Sequence, residues 1–237
     1  MKLSEMKLIL ANGRVQLTKS MGQNFLHDAN QLQRIFTAAE LEETDRVLEI
    51  GPGLGPLTEL LVARVPEVLA IEKDRRLFEW LQERYKHDSA LKLVHGDALE
   101  YLRDGSFAWS GWKLVANLPY SVASPILVEL AQGPAPPKRL VATLQFEVAQ
   151  RLMASAGRHE YGVLSLLIQL RYEPLGSFKI PASCFFPAPD VDSACVTLVR
   201  RPRPLLEWNQ SQVFDKVVKR GFSQRRKMMM KLLKGDW

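Results

Sequence analysis

Arg46-Val47-Leu48-Glu49-Ile50-Gly51-Pro52-Gly53-Leu54-Gly55-Pro56-Leu57-Thr58 passes from an apolar run, through three glycines, into a helical pattern. Such a succession reads as a buried strand whose end lets the backbone approach a ligand, with the next helix, expected over 56–64, aiming its N-terminus there. The dinucleotide fingerprint G-x-G-x-x-G is not met, because the third glycine falls one residue early and Pro56 takes its place. No lysine or arginine of a phosphate loop is near. The loop therefore suits a nucleoside better than a pyrophosphate.

Outward from this loop, short apolar runs alternate with helical patterns, the mark of βαβ units and a parallel sheet. Strands are expected at 46–50, 68–72, 91–94, 113–116 and 139–145, and two more, at 175–180 and 194–200, complete a seven-stranded sheet. Helices are expected at 29–39, capped by Asp28, and at 56–64, 75–85, 124–131 and 147–154. The Gly133-Pro134-Ala135-Pro136-Pro137 stretch is a loop, Arg201-Pro202-Arg203-Pro204 a linker, and 211–234 a basic helical region. A catalytic domain over 1–200 and a helical lobe over 205–237 follow.

Three strand ends carry polar groups that fit a nucleoside. Glu72 is placed to accept hydrogen bonds from ribose hydroxyls, and Asp97, in Gly96-Asp97-Ala98, from an adenine amino group; Asp97 equally reads as a helix N-cap. The fourth strand ends in Asn117-Leu118-Pro119-Tyr120. Here a side-chain amide, a carbonyl ahead of a φ-locked proline and an aromatic face converge, which suits a planar base with an exocyclic amino group. The cofactor description that emerges, nucleoside without phosphate recognition, fits S-adenosylmethionine.

Charge and cysteine usage narrow the class further. The net charge is +6, yet the segment from Arg200 to Trp237 holds eleven Lys/Arg against three acidic residues, so the preceding 199 residues carry −2. A basic tail on a near-neutral body is the footprint of a polyanion partner, and the base-sized site ranks nucleic acid above membrane. No apolar stretch reaches the roughly 20 residues of a membrane span, and 1–19 lacks the features of a targeting segment, so a cytoplasmic protein is expected. Cys184 and Cys195 read as two buried thiols rather than a disulfide framework. His27, His87, His95 and His159 show no ligand spacing, and no metal is expected.

Taken in order, several motifs resemble those of the small-subunit ribosomal RNA adenine N6,N6-dimethyltransferases of the KsgA type. They are Lys19-Ser20-Met21-Gly22-Gln23-Asn24-Phe25-Leu26, Glu49 to Thr58, Glu72, Gly96-Asp97-Ala98, Asn117 to Tyr120, Tyr161-Gly162-Val163-Leu164-Ser165, and Phe185-Phe186-Pro187-Ala188-Pro189-Asp190-Val191-Asp192-Ser193-Ala194. The resemblance implies a class I S-adenosylmethionine-dependent methyltransferase: a Rossmann-like, seven-stranded, mostly parallel sheet with a small C-terminal helical lobe. It implies a cofactor site of Asn24, Leu26, Gly51, Gly53, Glu72, Asp97, Ala98 and Asn117, with Asn24 and Leu26 closing over it. It also implies a catalytic group of Asn117, Leu118, Pro119, Tyr120 and Phe185, the last stacking on the target base with Phe186 as a close second.

The implied partner is small-subunit ribosomal RNA or an assembling small subunit, bound by a monomer through Arg220, Arg225, Arg226 and Lys227. Where members commonly continue Arg-Arg-Lys-Thr-Leu-Arg-Asn, this chain has Arg225-Arg226-Lys227-Met228-Met229-Met230-Lys231, and its RNA-binding lobe is expected to be short for the family. Related large-subunit enzymes that confer macrolide resistance usually read Asn-Ile-Pro-Tyr or Asn-Ile-Pro-Phe, with Val-Asn-Ser near the end; Leu118 and Val191-Asp192-Ser193-Ala194 favour the small-subunit group. A non-catalytic assembly factor is the rival from another class, and the complete set of motifs argues against it. A nicotinamide dehydrogenase is disfavoured by the glycine spacing and the charged tail.

Overall fold

The computed structural model describes residues 1–13, 15, 22–105, 107–224 and 227–234, the side chain of Trp208 excepted. The chain runs α1 (Leu3–Ala11), β1 (Phe25–Leu26), α2 (Ala29–Ala38), β2 (Arg46–Ile50), α3 (Thr58–Val62), β3 (Glu67–Glu72), α4 (Arg75–Arg84), β4 (Leu91–His95) and α5 (Ala98–Arg103). It continues β5 (Trp112–Asn117), α6 (Ala123–Gln132), β6 (Arg139–Gln145), α7 (Phe146–Met153), α8 (Val163–Gln169), β7 (Tyr172–Ile180), β8 (Phe185–Phe186), β9 (Ser193–Arg200), α9 (Trp208–Gly221) and α10 (Met229–Leu233).

Seven strands form one sheet in the order β4-β3-β2-β5-β6-β9-β7, with β9 antiparallel to both neighbours and the other pairings parallel. The expected seven-stranded, mostly parallel sheet is thus present. Its central strands bury nearly every residue, because helices cover both faces of a parallel sheet. One face packs Leu48, Leu114, Leu140 and Val196 with α6, α7 and α8; the other packs Val47, Val68, Val115 and Val141 with α2 and α3. A third cluster joins α1 to the glycine loop and α4 through Met6, Ile9, Phe25, Leu54 and Leu77.

Local chemistry explains most element boundaries. Asp28 caps α2 by accepting from the Gln31 N–H at 2.9 Å, and Asp97 caps α5 through the Leu99 N–H at 2.8 Å. The helix expected at 56–64 is shorter, Thr58–Val62, since the residues before it complete the glycine turn. Helices α1, α5 and α8 are additions to the sequence reading; α5 and α8 are only 6 and 7 residues long, below the length at which periodicity speaks.

The basic helical region expected over 211–234 comprises two helices. Chain reversal after Gly221 brings α10 back onto α9, where a Cβ on that glycine would stand 3.1 Å from Met229. The Arg220 Nε donates to the Leu232 carbonyl at 3.1 Å, and Val218 and Leu232 are buried. The amide of Gln132, at the end of α6, donates to the Asp215 carboxylate and ties the lobe to the sheet's helical layer. Of the two cysteines, Cys195 is buried and Cys184 is only half-buried.

An ion pair under the sheet holds the loop that feeds β2. Lys113 in β5 donates to the Glu40 carbonyl at 2.5 Å and pairs with the Asp45 carboxylate at 2.7 Å, and Asp45 is 4% exposed. Breaking such a pair from one side leaves a buried charge uncompensated and costs roughly 3–5 kcal/mol. Lys113→Met is expected to lose stability on that order in urea unfolding, and adding Asp45→Asn to recover much of it; a midpoint unchanged by Lys113→Met would refute the role.

Candidate functional site

Beyond the carboxyl ends of β2, β3, β4 and β5 lies a cavity of about 380 Å³. Every residue read from the sequence as cofactor-binding borders it, as do all four residues from Asn117 to Tyr120. The sheet order explains the place: β3 and β4 lie to one side of β2, β5 and β6 to the other, so connections diverge and leave a crevice between β2 and β5.

The glycine loop forms the floor. Gly51 and Gly53 have φ of +68° and +63°, the left-handed region that glycine enters without penalty. A Cβ on Gly53 would fall 2.8 Å from the Phe25 ring, so glycine there lets β1 lie directly on the loop. Glu72 clamps the same turn, its carboxylate accepting from the Gly53 N–H at 3.1 Å and the Asp74 N–H at 2.8 Å. Each carboxylate oxygen can accept a second bond, so capacity for hydroxyl groups remains. Burial pushes the Glu72 carboxyl above its ordinary value, with those backbone donors opposing the shift.

Of the two roles weighed for Asp97, the structure shows the helix cap. One oxygen caps α5, while the other pairs with Lys73 at 2.7 Å, and the Lys73 ammonium holds the carboxyl below its ordinary value. Lys73 is largely exposed and reaches across the cavity's edge. Asp74, equally adjacent in sequence, points elsewhere: it caps α4, pairs with Arg76 and accepts from Gln23 at 2.9 Å.

Asn117 is the hinge between the floor and the N-terminal segment. Its Nδ2 donates to the Asn24 carbonyl at 3.1 Å, which sets the amide's orientation, since only the nitrogen can donate there. Its Oδ1 is buried and has no hydrogen-bond partner among the described residues. An orphaned buried acceptor costs roughly 1–3 kcal/mol, a cost that an N–H donor entering the cavity would relieve. Tyr120 is fixed by a 2.5 Å hydrogen bond between its hydroxyl and the Ser193 Oγ, a partner that the sequence reading did not single out, although Ser193 stands within one of its motifs.

Phe185 departs from expectation. It is 3% exposed, packs with Leu26, Ile35, Ile180 and Cys195, and does not border the cavity. Phe186 does not border the cavity either, but it is only half-buried, with the Lys7 ammonium 5.4 Å from its ring centroid. The cause is strand alternation: β8 pairs with β1, Phe25 opposite Phe186 and Leu26 opposite Phe185, and successive side chains face opposite ways. Among the proposed RNA-binding residues, Lys227 is exposed, Arg220 contributes its Nε to holding α10, and Arg225 and Arg226 lie outside the described residues, as do Lys19, Ser20 and Met21. Among the described residues, no three His, Cys, Asp or Glu side chains gather as a metal site, and no helix is long and apolar enough to cross a membrane.

The sequence model of the ribosomal RNA adenine dimethylase family matches residues 14–235. The chain is 42% identical over 224 residues to the ribosomal RNA small subunit methyltransferase A of Moorella thermoacetica, covering 91% of this chain and 78% of the relative. It is 39% identical to the protein of the same name from Geobacter metallireducens, covering 93% and 81%. Among solved structures it resembles a dimethyladenosine transferase from Plasmodium falciparum, with a TM-score of 0.72 at 27% identity over 89% of this chain and 74% of that one. It equally resembles the 23S rRNA methyltransferase ErmE, with a TM-score of 0.71 at 28% identity over 90% and 85%.

Beneath the loop, Glu49 is fully buried and accepts from the Thr58 Oγ1 at 2.8 Å. Burial pushes its carboxyl from the ordinary 4.5 up to about 8, and the nearby Glu72 carboxylate adds to the shift against the Thr58 bond. Between those values the unfolded chain gives up a proton that the native state keeps, so Glu49's contribution is full below pH 4.5 and is lost as pH rises to about 8. Glu49→Gln, neutral throughout, should gain stability relative to the parent steadily from pH 5 to 8. Urea midpoints of the two proteins that stay parallel across this range would show Glu49 to be ionised in the native state.

Proposed function

Because the chain belongs to the ribosomal RNA adenine dimethylase family, we propose that it N6,N6-dimethylates adjacent adenines of small-subunit ribosomal RNA with S-adenosylmethionine, in a step linked to subunit assembly. The observation that carries this reading is the Asn117 amide, anchored through Nδ2 to the N-terminal segment while its buried Oδ1 lacks a partner. Relatives at 39–42% identity that carry the small-subunit name support the small-subunit substrate. The protein acts in the cytoplasm as a monomer, on RNA or an assembling subunit and away from membranes.

The residues around the cavity suit the cofactor. Glu72 offers acceptors for ribose hydroxyls, the backbone at Gly51 and Gly53 admits close approach, Ala98 and Leu26 give apolar walls, and Asn24 covers the site from above. Asp97 receives an adenine amino group on the oxygen now paired with exposed Lys73. When bound, S-adenosylmethionine supplies a methyl group on a positively charged sulfur, already a strong electrophile.

The protein's task is then geometric. An adenine amino nitrogen is a poor nucleophile because its lone pair is delocalised into the ring. The Asn117 Oδ1 and the Leu118 carbonyl accept its two N–H bonds, which favours a tetrahedral nitrogen with its lone pair aimed at the methyl. Pro119 fixes the turn that aligns both acceptors. The proton that the amino nitrogen would give up on gaining a methyl would pass to water, since no carboxylate in the Asn117 to Tyr120 motif is an obvious base.

Tyr120, steadied by Ser193, holds one face of the base, and Phe186 takes the stacking role first given to Phe185, since its ring is the accessible one. Extruding a base costs a few kcal/mol, and stacking returns roughly 1–3 kcal/mol per base. Phosphate contacts from the lobe over 205–237, through Arg225, Arg226 and Lys227, add affinity, with Arg220 chiefly bracing the lobe.

Asn117→Ala should abolish label transfer from S-adenosylmethionine to unmodified small subunits while RNA binding stays near parental; substantial turnover would refute the assigned role. Changing Arg225, Arg226 and Lys227 together to Gln should weaken RNA binding and lower the slope of log K against log salt by about 2 to 3, with cofactor affinity unchanged. An unaltered slope, measured by titration between 50 and 200 mM salt, would remove them from the phosphate interface.

A further inference from the structure

The reaction described above leaves one aromatic side chain at the carboxyl edge of the sheet without a role. Phe146 is the first residue past β6 and is 38% exposed. Its N–H donates to the Asp192 carbonyl at 3.0 Å, and the residue before it, Gln145, pairs with Ser193, whose hydroxyl holds Tyr120. Backbone bonds therefore fix this ring relative to the base site. Thr143 lies opposite Asn117, and three residues of strand rise place Phe146 about 10 Å further along, on the side where ligands of a parallel sheet bind.

The ring borders a second groove, of about 570 Å³, lined also by Gln150, Met153, Arg158, Ser177 and Lys179. Lys179 is held by a 2.7 Å ion pair with Asp192 and sets its ammonium 5.6 Å from the Phe146 centroid. A single exposed apolar residue needs no explanation. An exposed aromatic rigidly joined to the base site, with a cation fixed over it and Arg158 on the same groove, does. Aromatic face, basic side chains and amide are the parts from which single-stranded nucleic acid sites are made.

We propose that Phe146 forms a second base-binding subsite, which stacks on the nucleotide adjoining the target adenine. The inference rests on the RNA methyl-transfer reading above. Drawing one adenine out of the stack toward Asn117 strips its neighbour of a stacking partner, and Phe146 supplies the replacement, while Arg158 faces the connecting phosphate. Phe146 is thus a positioning residue: it holds the strand so that the reacting adenine is presented, and touches neither the methyl nor the amino group.

The test compares the full-length parent with Phe146→Ala, Phe146→Leu and Phe146→Tyr, using radiolabelled S-adenosylmethionine and small subunits lacking the modification. Removing the ring, in the Ala and Leu variants, should raise KM for subunits roughly 5- to 150-fold, the range that one base–aromatic stack represents. Cofactor affinity and kcat should stay within about twofold, and Phe146→Tyr, which keeps the ring, should behave like the parent. A Phe146→Leu protein that melts like the parent and keeps its KM overturns the subsite while leaving the reaction intact. Failure of the parent itself to label the subunits overturns the reaction and the subsite together.

Discussion

The parallel pairing of β2 with β5, Arg46 opposite Trp112 through Leu48 opposite Leu114, decides where this protein can act. Two strands consecutive in space but separated by β3 and β4 in the chain force the connections apart, and the crevice so opened is the cavity. The glycine loop leaves one side of it and Asn117 to Tyr120 leave the other. Neither half makes a site alone; adjacent strands bring the groups within a few ångström.

Closing the crevice burdens the structure with buried polar groups. Glu49 and Glu72 stand on neighbouring strands, and both carboxyls are raised above their ordinary values, chiefly by burial. Both border the cavity, but Glu72 keeps two backbone donors whereas Glu49 has one hydroxyl partner. The Asn117 oxygen carries a similar desolvation cost with no partner among the described residues. Binding sites commonly hold such unmet groups, since the ligand that meets them gains the bond that the free protein forgoes.

Fold similarity alone does not separate the RNA targets. The chain superposes about as well on a 23S rRNA methyltransferase as on a dimethyladenosine transferase, because both share the sheet and its crevice. Outside that crevice stands the basic lobe of α9 and α10. That lobe carries most of the chain's charge bias, while the sheet beneath it is near neutral.

By itself the sequence determined what short-range chemistry dictates. Short apolar runs placed the seven strands, Asp28 and Asp97 announced their caps, and the residues from Asn117 to Tyr120, read as a base-sized site, border the cavity. Helices α1, α5 and α8 escaped, two of them too short for periodicity to register, and the break after Gly221 was hidden because both sides are equally basic and helical. Tertiary structure alone decided which of Phe185 and Phe186 enters the core. Two adjacent rings on an extended segment point to opposite sides, and only the register of β8 against β1 tells which enters the core. The same holds for Ser193 behind Tyr120 and for Lys113 beneath Asp45: contacts between residues 73 and 68 positions apart exist because the sheet closes, and no local pattern encodes them.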